Sequence, residues 1–358
     1  MPTLSCPDTI PWSDATRRSA FEHWLGRVAD THGLQASTLT IASADASFRR
    51  YLRLQRSGGH AIVMDAPPPL EDVRPFVQIA RQIAAAGLHA PEVLEVDAEH
   101  GFLLLEDLGR LPYLDALLHD PGRGAEALMR DAAKALVHFQ LGLDASTLPA
   151  FDEALIAREL ALFPEWCVQR EFGVTWTAPQ QQTWERICRL LIDSALGQPQ
   201  VAVHRDWMPR NLMVCSPNNG ANPGILDFQD AVRGPITYDL ASMLRDAFIS
   251  WDEERELDWA VRWWEQARRA GVPLGEHLGH DFGELWRALE WMGLQRHLKV
   301  LGIFCRLKHR DGKPRYAQDL PRFFGYATRV ALRYAPLKPL LGLLEPLSGS
   351  QVSSGFTF

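Results

Sequence analysis

Apolar and polar positions alternate in short runs over the first hundred residues, then settle into a three-to-four-residue period for most of the rest. Phe21, Trp24, Leu25 and Val28 recur at helical spacing after Ser13, a residue suited to capping, and Gly33 ends the pattern. Residues 39–42, 48–54 and 61–64 read as three strands, the last two joined by a tight turn at Ser57-Gly58-Gly59. Residues 71–86 carry Phe76, Ile79 and Ile83 on one helical face with Gly87 as the stop, and 93–96 and 102–105 form a further hairpin. Glu106-Asp107-Leu108-Gly109 interrupts the periodicity and reads as a connector. Helical spacing then covers 125–143, 153–171, 179–196, 237–249, 253–270, 281–308 and 316–334. The end of the chain from Ala335 is rich in Pro, Gly and Ser and reads as a fraying tail. There is no internal repeat and no low-complexity tract.

This order predicts an α+β fold of two lobes. A small N-terminal β-sheet lobe covers 1–106, a hinge 107–112, a larger and mainly helical C-terminal lobe 113–335, and a tail 336–358. The length of 358 residues suits about two domains.

One stretch breaks the helical series. His204-Arg205-Asp206-Trp207-Met208-Pro209-Arg210-Asn211 is followed by a short apolar run, Leu212–Cys215, a turn-rich loop over 216–223, a return run Gly224–Leu226, and then Asp227-Phe228-Gln229. A hairpin over these residues brings Asn211 and Asp227 to the same open end. Phosphoryl transfer needs such a set: one carboxylate, here Asp206, facing an acceptor hydroxyl, and an amide and a carboxylate, Asn211 and Asp227, holding magnesium.

Composition narrows the setting. Hydrophobic content of 46% and charged content of 23% are ordinary for a globular protein, and a net charge of -7 gives no basic excess for nucleic acid. Five scattered cysteines with no C-x-x-C pair favour a reducing compartment without disulfides or a zinc site. The first dozen residues lack the basic flank and apolar run of a signal peptide, and no stretch is long enough to span a membrane. These readings predict a cytoplasmic protein with no membrane or nucleic-acid partner, and no protein partner is implied.

The chain resembles the aminoglycoside phosphotransferase family, the small-molecule branch of the protein-kinase-like fold. The resemblance rests on Ala46-Ser47-Phe48-Arg49-Arg50-Tyr51, Met64-Asp65-Ala66-Pro67-Pro68, Leu103-Leu104-Leu105-Glu106-Asp107-Leu108-Gly109, the segment around Asp206, and Leu226-Asp227-Phe228-Gln229-Asp230-Ala231 running into Gly234-Pro235-Ile236-Thr237-Tyr238-Asp239. It implies an ATP- and magnesium-dependent kinase with a small-molecule acceptor. Within the family the chain looks most like bacterial kinases that phosphorylate the anomeric oxygen of N-acetylmuramate and N-acetylglucosamine in cell-wall recycling. Adenine is expected against the backbone around Glu106 and Leu108. His204, Arg205 and Asp239 are expected to hold the catalytic segment rigid.

The chain departs from the kinase pattern in one respect. No lysine precedes Lys134, and Met64 stands where the third strand would carry the lysine that grips the α- and β-phosphates. A glycine-rich loop is also absent, leaving Asp45-Ala46-Ser47 as the first turn. Either the chain is a binding-only module or an arginine replaces the lysine. Arg49 and Arg53 share one face of an alternating strand and Arg50 has the other. Ser47, Phe48 and Arg49 are therefore the expected phosphate-side contacts. Gln229, Asp230 and Arg245 are the expected contacts of the sugar acceptor, with Trp207, Trp251, Trp286 and Trp291 available for stacking, whereas Trp259, Trp263 and Trp264 at helical spacing read as core. An aminoglycoside acceptor would need a denser acidic wall than residues 229–296 supply. A protein kinase would need an activation-segment anchor that does not follow Asp227. A kinase for another alcohol and a non-catalytic nucleotide-binding protein remain the alternatives.

Overall fold

In a computed structural model, which describes residues 7, 10–44, 48–215 and 220–347, Asp14 rather than Ser13 caps the first helix. The Asp14 carboxylate accepts the Arg17 N–H at 2.7 Å, and Ser13 donates its hydroxyl to Asp14. Helix α1 (Ala15–His32) ends at Gly33, whose φ of 60° suits a left-handed C-cap.

Strands β1 (Leu34–Ala44), β2 (Arg50–Arg56) and β3 (Gly59–Asp65), helix α2 (Arg74–Ala85), and strands β4 (Val93–Asp97) and β5 (Phe102–Glu106) follow. The five strands form one antiparallel sheet in the order β1-β2-β3-β5-β4. β1 begins five residues before the expected Leu39. Its register shifts between Gln35 and Thr40, and a bulge of this kind breaks the alternation by which a strand is recognised. Leu52 and Leu54 alternate inward and meet Phe21, Trp24 and Leu25 of α1, with Val63, Phe102 and Leu104 completing the core. Asp65 is buried at the end of β3 and is paired with Arg17 of α1 and Arg50 of β2, so its charge is compensated.

The chain divides into two compact units. The first contains the described residues up to Tyr113 together with Asn211–Asp230, and the second contains Leu114–Arg210 and the described residues from Ala231 onward. The sequence assigned 211–230 to the helical lobe by position; by its contacts the segment packs with the sheet unit.

After β5 come α3 (Tyr113–His119), α4 (Arg123–Gly142), α5 (Glu153–Leu162), α6 (Ala178–Leu196) and β6 (Gln200–Val203). The first unit's hairpin, β7 (Leu212–Met213) and β8 (Gly224–Ile225), interrupts here. Then follow β9 (Val232–Pro235), α7 (Tyr238–Leu244), α8 (Glu253–Ala270), α9 (Gly275–His280), α10 (Phe282–His309), α11 (Leu320–Arg333) and α12 (Leu341–Leu344). The expected helix over 153–171 changes to a π-helical turn at Phe163–Glu171, and that over 316–334 begins as a 3-10 segment, Pro314–Asp319. α3 and α9 are short helices that the sequence pattern did not reveal.

α10 is the axis of the second unit. It is 28 residues long and packs on α5, α6, α7, α9 and α11. Gly302 lets it approach closely, because a Cβ there would overlap the backbone of Leu162. The tail expected to fray from Ala335 is helical as far as Leu344. Leu337, Leu340, Leu343, Leu344 and Leu347 are all buried, so 335–347 belong to the core, while the rest of the expected tail, 348–358, lies outside the described residues.

Candidate active site

In the second unit, β6 pairs antiparallel with β9, and the chain leaves β6 at His204. His204 is fully buried, its ring edge-on to Trp207 at 5.5 Å and tilted against Phe139 at 5.8 Å. Its Nδ1 accepts the Asp206 N–H at 3.3 Å, a bond that occupies one ring nitrogen in shaping the loop. Arg205 has a φ of 75°, unusual for a residue with a side chain. Two contacts hold it there: its N–H donates to Asp239 at 2.9 Å, and its guanidinium reaches Glu159 at 2.7 Å. The His204 N–H also donates to Asp239, at 2.6 Å. Complete burial pushes the Asp239 carboxyl up to about 7, against the pull of these two backbone donors.

Asp206 follows with a side chain 41% exposed, and its Oδ1 lies 3.7 Å from the Arg296 guanidinium of α10. Arg296 is itself buried and donates to Ser242 at 2.8 Å. Beneath this loop lies a buried ionic group. Glu159 receives Lys299 at 2.9 Å and Gln295 at 3.0 Å as well as Arg205. Burial disfavours the Glu159 charge, yet Lys299 and Arg205 outweigh it and hold its carboxyl below the usual range. The sequence reading missed Arg296, Lys299 and Glu159. The available signal was the polar run Gln295-Arg296-His297 and Lys299 inside an otherwise apolar helix.

In the first unit, β7 and β8 pair Leu212 with Ile225 and Met213 with Gly224, and the Leu226 N–H donates to the Asn211 carbonyl at 2.9 Å. The hairpin thus sets Asn211 opposite Leu226, one residue from Asp227. Asp227 has a φ of 63°, the first unit's counterpart to Arg205. Phe228 next to it is fully buried and packs on Phe76 of α2 at 4.6 Å. Gln229 turns its amide back to donate to Asp227 at 2.8 Å and to Asp230 at 3.4 Å. Gln229, expected to face the acceptor, thus also holds the Asp227 carboxylate.

The three arginines separate: Arg49, expected on the second strand, precedes β2, and only Arg50 and Arg53 lie on it. Arg49 lies 3.4 Å from Glu71 and 4.0 Å from Asp230, beside the Asp227 segment. Arg50 is committed to Asp65 and to the face of Trp12, 4.0 Å from the ring centroid. Arg53, expected to share the phosphate side with Arg49, instead clamps the connector, donating to Asp107 and to the Gly109 carbonyl, both at 2.6 Å. Gly109 has a φ of 104°, which a side chain would resist. Ser47 lies outside the described residues, and Phe48 is 66% exposed.

The connector begins at Glu106, whose side chain turns to His89 at 3.2 Å and accepts the Glu92 N–H at 3.2 Å. Its backbone N–H also donates, to the Glu92 carbonyl at 2.9 Å. The Cys215 sulfur and the Glu106 carboxylate together push the His89 ring up to about 10. Leu108 is buried against Met213, Cys215 and Leu226.

Arg245 corrects the sequence reading most clearly. It was expected to face the acceptor but is fully buried, donating to Glu256 at 3.0 Å and to Glu290 at 2.8 Å. Arg329 and Arg333 complete this ionic group. The tryptophans also turn inward. Trp207 packs against His204 and Phe139, Trp251 lies edge-on to Trp259 at 5.0 Å, and Trp291 edge-on to Tyr334 at 5.9 Å. Trp286 lies beside Phe282 with Arg245 over its ring.

Residues 38–294 match the model of the phosphotransferase enzyme family, and the chain belongs to that family. The chain is 52% identical over 313 residues to an N-acetylmuramate/N-acetylglucosamine kinase of Pseudomonas putida, covering 87% of this chain and 89% of the relative. It is 49% identical to a protein of the same name from Pseudomonas aeruginosa, covering 94% and 98% of the two chains, and 45% identical to one from Neisseria meningitidis, covering 96% and 99%. Among solved structures it is similar to an ADP-bound aminoglycoside phosphotransferase, with a TM-score of 0.58, 14% identity and 88% and 99% of the two chains covered. It is also similar to a Plasmodium vivax ethanolamine kinase, with a TM-score of 0.59, 12% identity and 87% and 86% covered. At these identities the structural likenesses establish the fold, which is protein-kinase-like. Among the described residues no helix is long and apolar enough to cross a membrane.

Proposed function

We propose that this enzyme is an ATP-dependent sugar kinase that transfers the γ-phosphate to the anomeric hydroxyl of N-acetylmuramate and N-acetylglucosamine. The observation that carries this reading is identity of about half, over nearly the whole chain, with relatives bearing that name. Asp206 accepts the proton of the anomeric hydroxyl. The sugar oxygen then forms its bond to the γ-phosphorus as the bond to ADP breaks. An anomeric hydroxyl is more acidic than an ordinary alcohol, so a carboxylate suffices as base. Positioning and fixed charge supply most of the acceleration. The product is a sugar 1-phosphate, a form that a nucleotidyltransferase can consume in peptidoglycan recycling.

Asn211 and Asp227 would hold magnesium. They offer one amide oxygen and one carboxylate, hard donors of the kind Mg²⁺ takes in ones and twos while keeping phosphate oxygens and waters. When bound, the ion would offset charge on the phosphates. Arg49 takes the place of the missing lysine, and its pairing with Glu71 supports this: kinases keep their phosphate-side cation in place with a glutamate.

ADP release tests the reading. Both free sugars should support turnover. Their methyl glycosides, which block the anomeric oxygen and leave the other hydroxyls, should not. Rapid turnover of a methyl glycoside would return the choice to another hydroxyl.

A further inference from the structure

A pocket of 430 Å³ in the second unit is lined by Ser250, Pro321, Arg322, Gly325, Tyr326 and Arg329. Its lining offers two guanidiniums and two hydroxyls and no carboxylate. The polar groups are already arranged toward one another. Ser250 and Tyr326 share a hydroxyl hydrogen bond of 2.8 Å, and Arg322 donates to Ser250 at 2.9 Å. Arg322 Nε is buried and has no hydrogen-bond partner among the described residues. Arg329 lies over the Tyr326 ring, 5.5 Å from its centroid, and is anchored from behind by Glu256 at 3.2 Å. Asp319, at the end of the 3-10 segment before α11, stands 3.7 Å from Arg322, too far for a direct hydrogen bond.

The segment that carries Ser250 also touches the catalytic loop, two residues earlier, at Phe248. Arg210, four residues after Asp206, lies over the Phe248 ring at 5.2 Å. Arg296, 3.7 Å from Asp206, acts together with Arg322 on the buried Asp246. Burial pushes the Asp246 carboxyl up, and the Ala247 and Phe248 N–H groups and then these two guanidiniums pull against it. Arg296, 3.7 Å from Asp206, and Arg322, in the wall of the pocket, thus both favour charge on one buried carboxylate, Asp246.

We propose that this pocket receives an anionic substituent of the acceptor, with Arg322 as the group that recognises it. The inference rests on the sugar-kinase reading and deepens it. Of the two acceptors, N-acetylmuramate carries a carboxylate, on its lactyl ether, and N-acetylglucosamine carries none. A planar guanidinium with a buried, unpartnered N–H matches a carboxylate in geometry and charge. The same lining repels a polycationic acceptor.

Two measurements test it. With the unaltered enzyme, kcat/KM for N-acetylmuramate should exceed that for its neutral carboxamide by roughly 10–100-fold, the range of a charge-assisted hydrogen bond. In Arg322→Gln the acid and the amide should converge, while N-acetylglucosamine loses much less than N-acetylmuramate. Arg322→Lys should recover part of the difference. Equal use of acid and amide by the unaltered enzyme overturns the proposal whether or not the variant folds. So does an equal loss on both sugars in a folded Arg322→Gln. Absence of turnover with either free sugar would instead overturn the sugar-kinase reading, and this inference with it.

Discussion

Asp239 receives the backbone N–H groups of His204 and Arg205 on its two carboxylate oxygens, at 2.6 and 2.9 Å. One buried side chain thus sets the path of the loop that presents Asp206. Asp206→Asn and Asp239→Asn should therefore fail differently. Asp206→Asn should lower kcat by roughly two to four orders of magnitude, with ATP KM and melting temperature little changed. Asp239→Asn gives one of the two N–H groups an amide donor to face, so it should lower both kcat and melting temperature. Near-native turnover by Asp206→Asn contradicts its assignment as base. An unshifted melting temperature in Asp239→Asn contradicts its role as anchor.

Arg49 and Arg53 should separate in the same way. Arg49→Ala should raise the ATP KM and lower kcat without altering sugar affinity measured in the absence of nucleotide. Arg53→Ala frees the connector at Asp107 and Gly109 and should act first on melting temperature. If ATP kinetics respond to Arg53→Ala and not to Arg49→Ala, the phosphate-side cation has been assigned to the wrong residue.

Arg245→Met should unfold the second unit more easily, since it leaves buried Glu256 and Glu290 with fewer partners. Loss of one partner from a buried ionic group costs about 3–5 kcal/mol. Urea denaturation measures this. Unchanged stability together with a raised sugar KM would restore Arg245 to the acceptor site.

His89, its pKa raised by Cys215 first and Glu106 second, should together with Glu106 make stability depend on pH. The His89 pKa, raised from 6.5 to about 10, gives stabilisation that is complete below 6.5, declines as pH rises and is lost past about 10. Glu106 is shifted down from 4.5: burial opposes its charge, but His89 and the Glu92 N–H outweigh it. Its contribution is present above 4.5 and lost as pH falls. Melting temperature should therefore drop between pH 6.5 and 9.5, and His89→Gln should flatten that drop. Parallel curves for the two proteins would show that His89 and its contacts with Cys215 and Glu106 do not contribute.

The hairpin and its ends were readable from sequence because they are local: Asn211, Asp227 and the turn between them lie within seventeen residues. The fates of Arg53 and Arg245 were not readable, because each is decided by a partner brought near only by the tertiary fold. Glu290 stands 45 positions from Arg245, and Asp107 stands 54 from Arg53. The start of β1 was hidden by a bulge. Residues 335–347 were misread from their prolines, although Leu337, Leu340, Leu344 and Leu347 keep a three-to-four spacing that composition obscured.

The most direct test is phosphorus NMR of the product made from N-acetylglucosamine, ATP and magnesium. Transfer to the anomeric oxygen predicts a single phosphomonoester whose phosphorus couples to the anomeric proton. A phosphomonoester coupled instead to the C6 methylene protons would contradict the account.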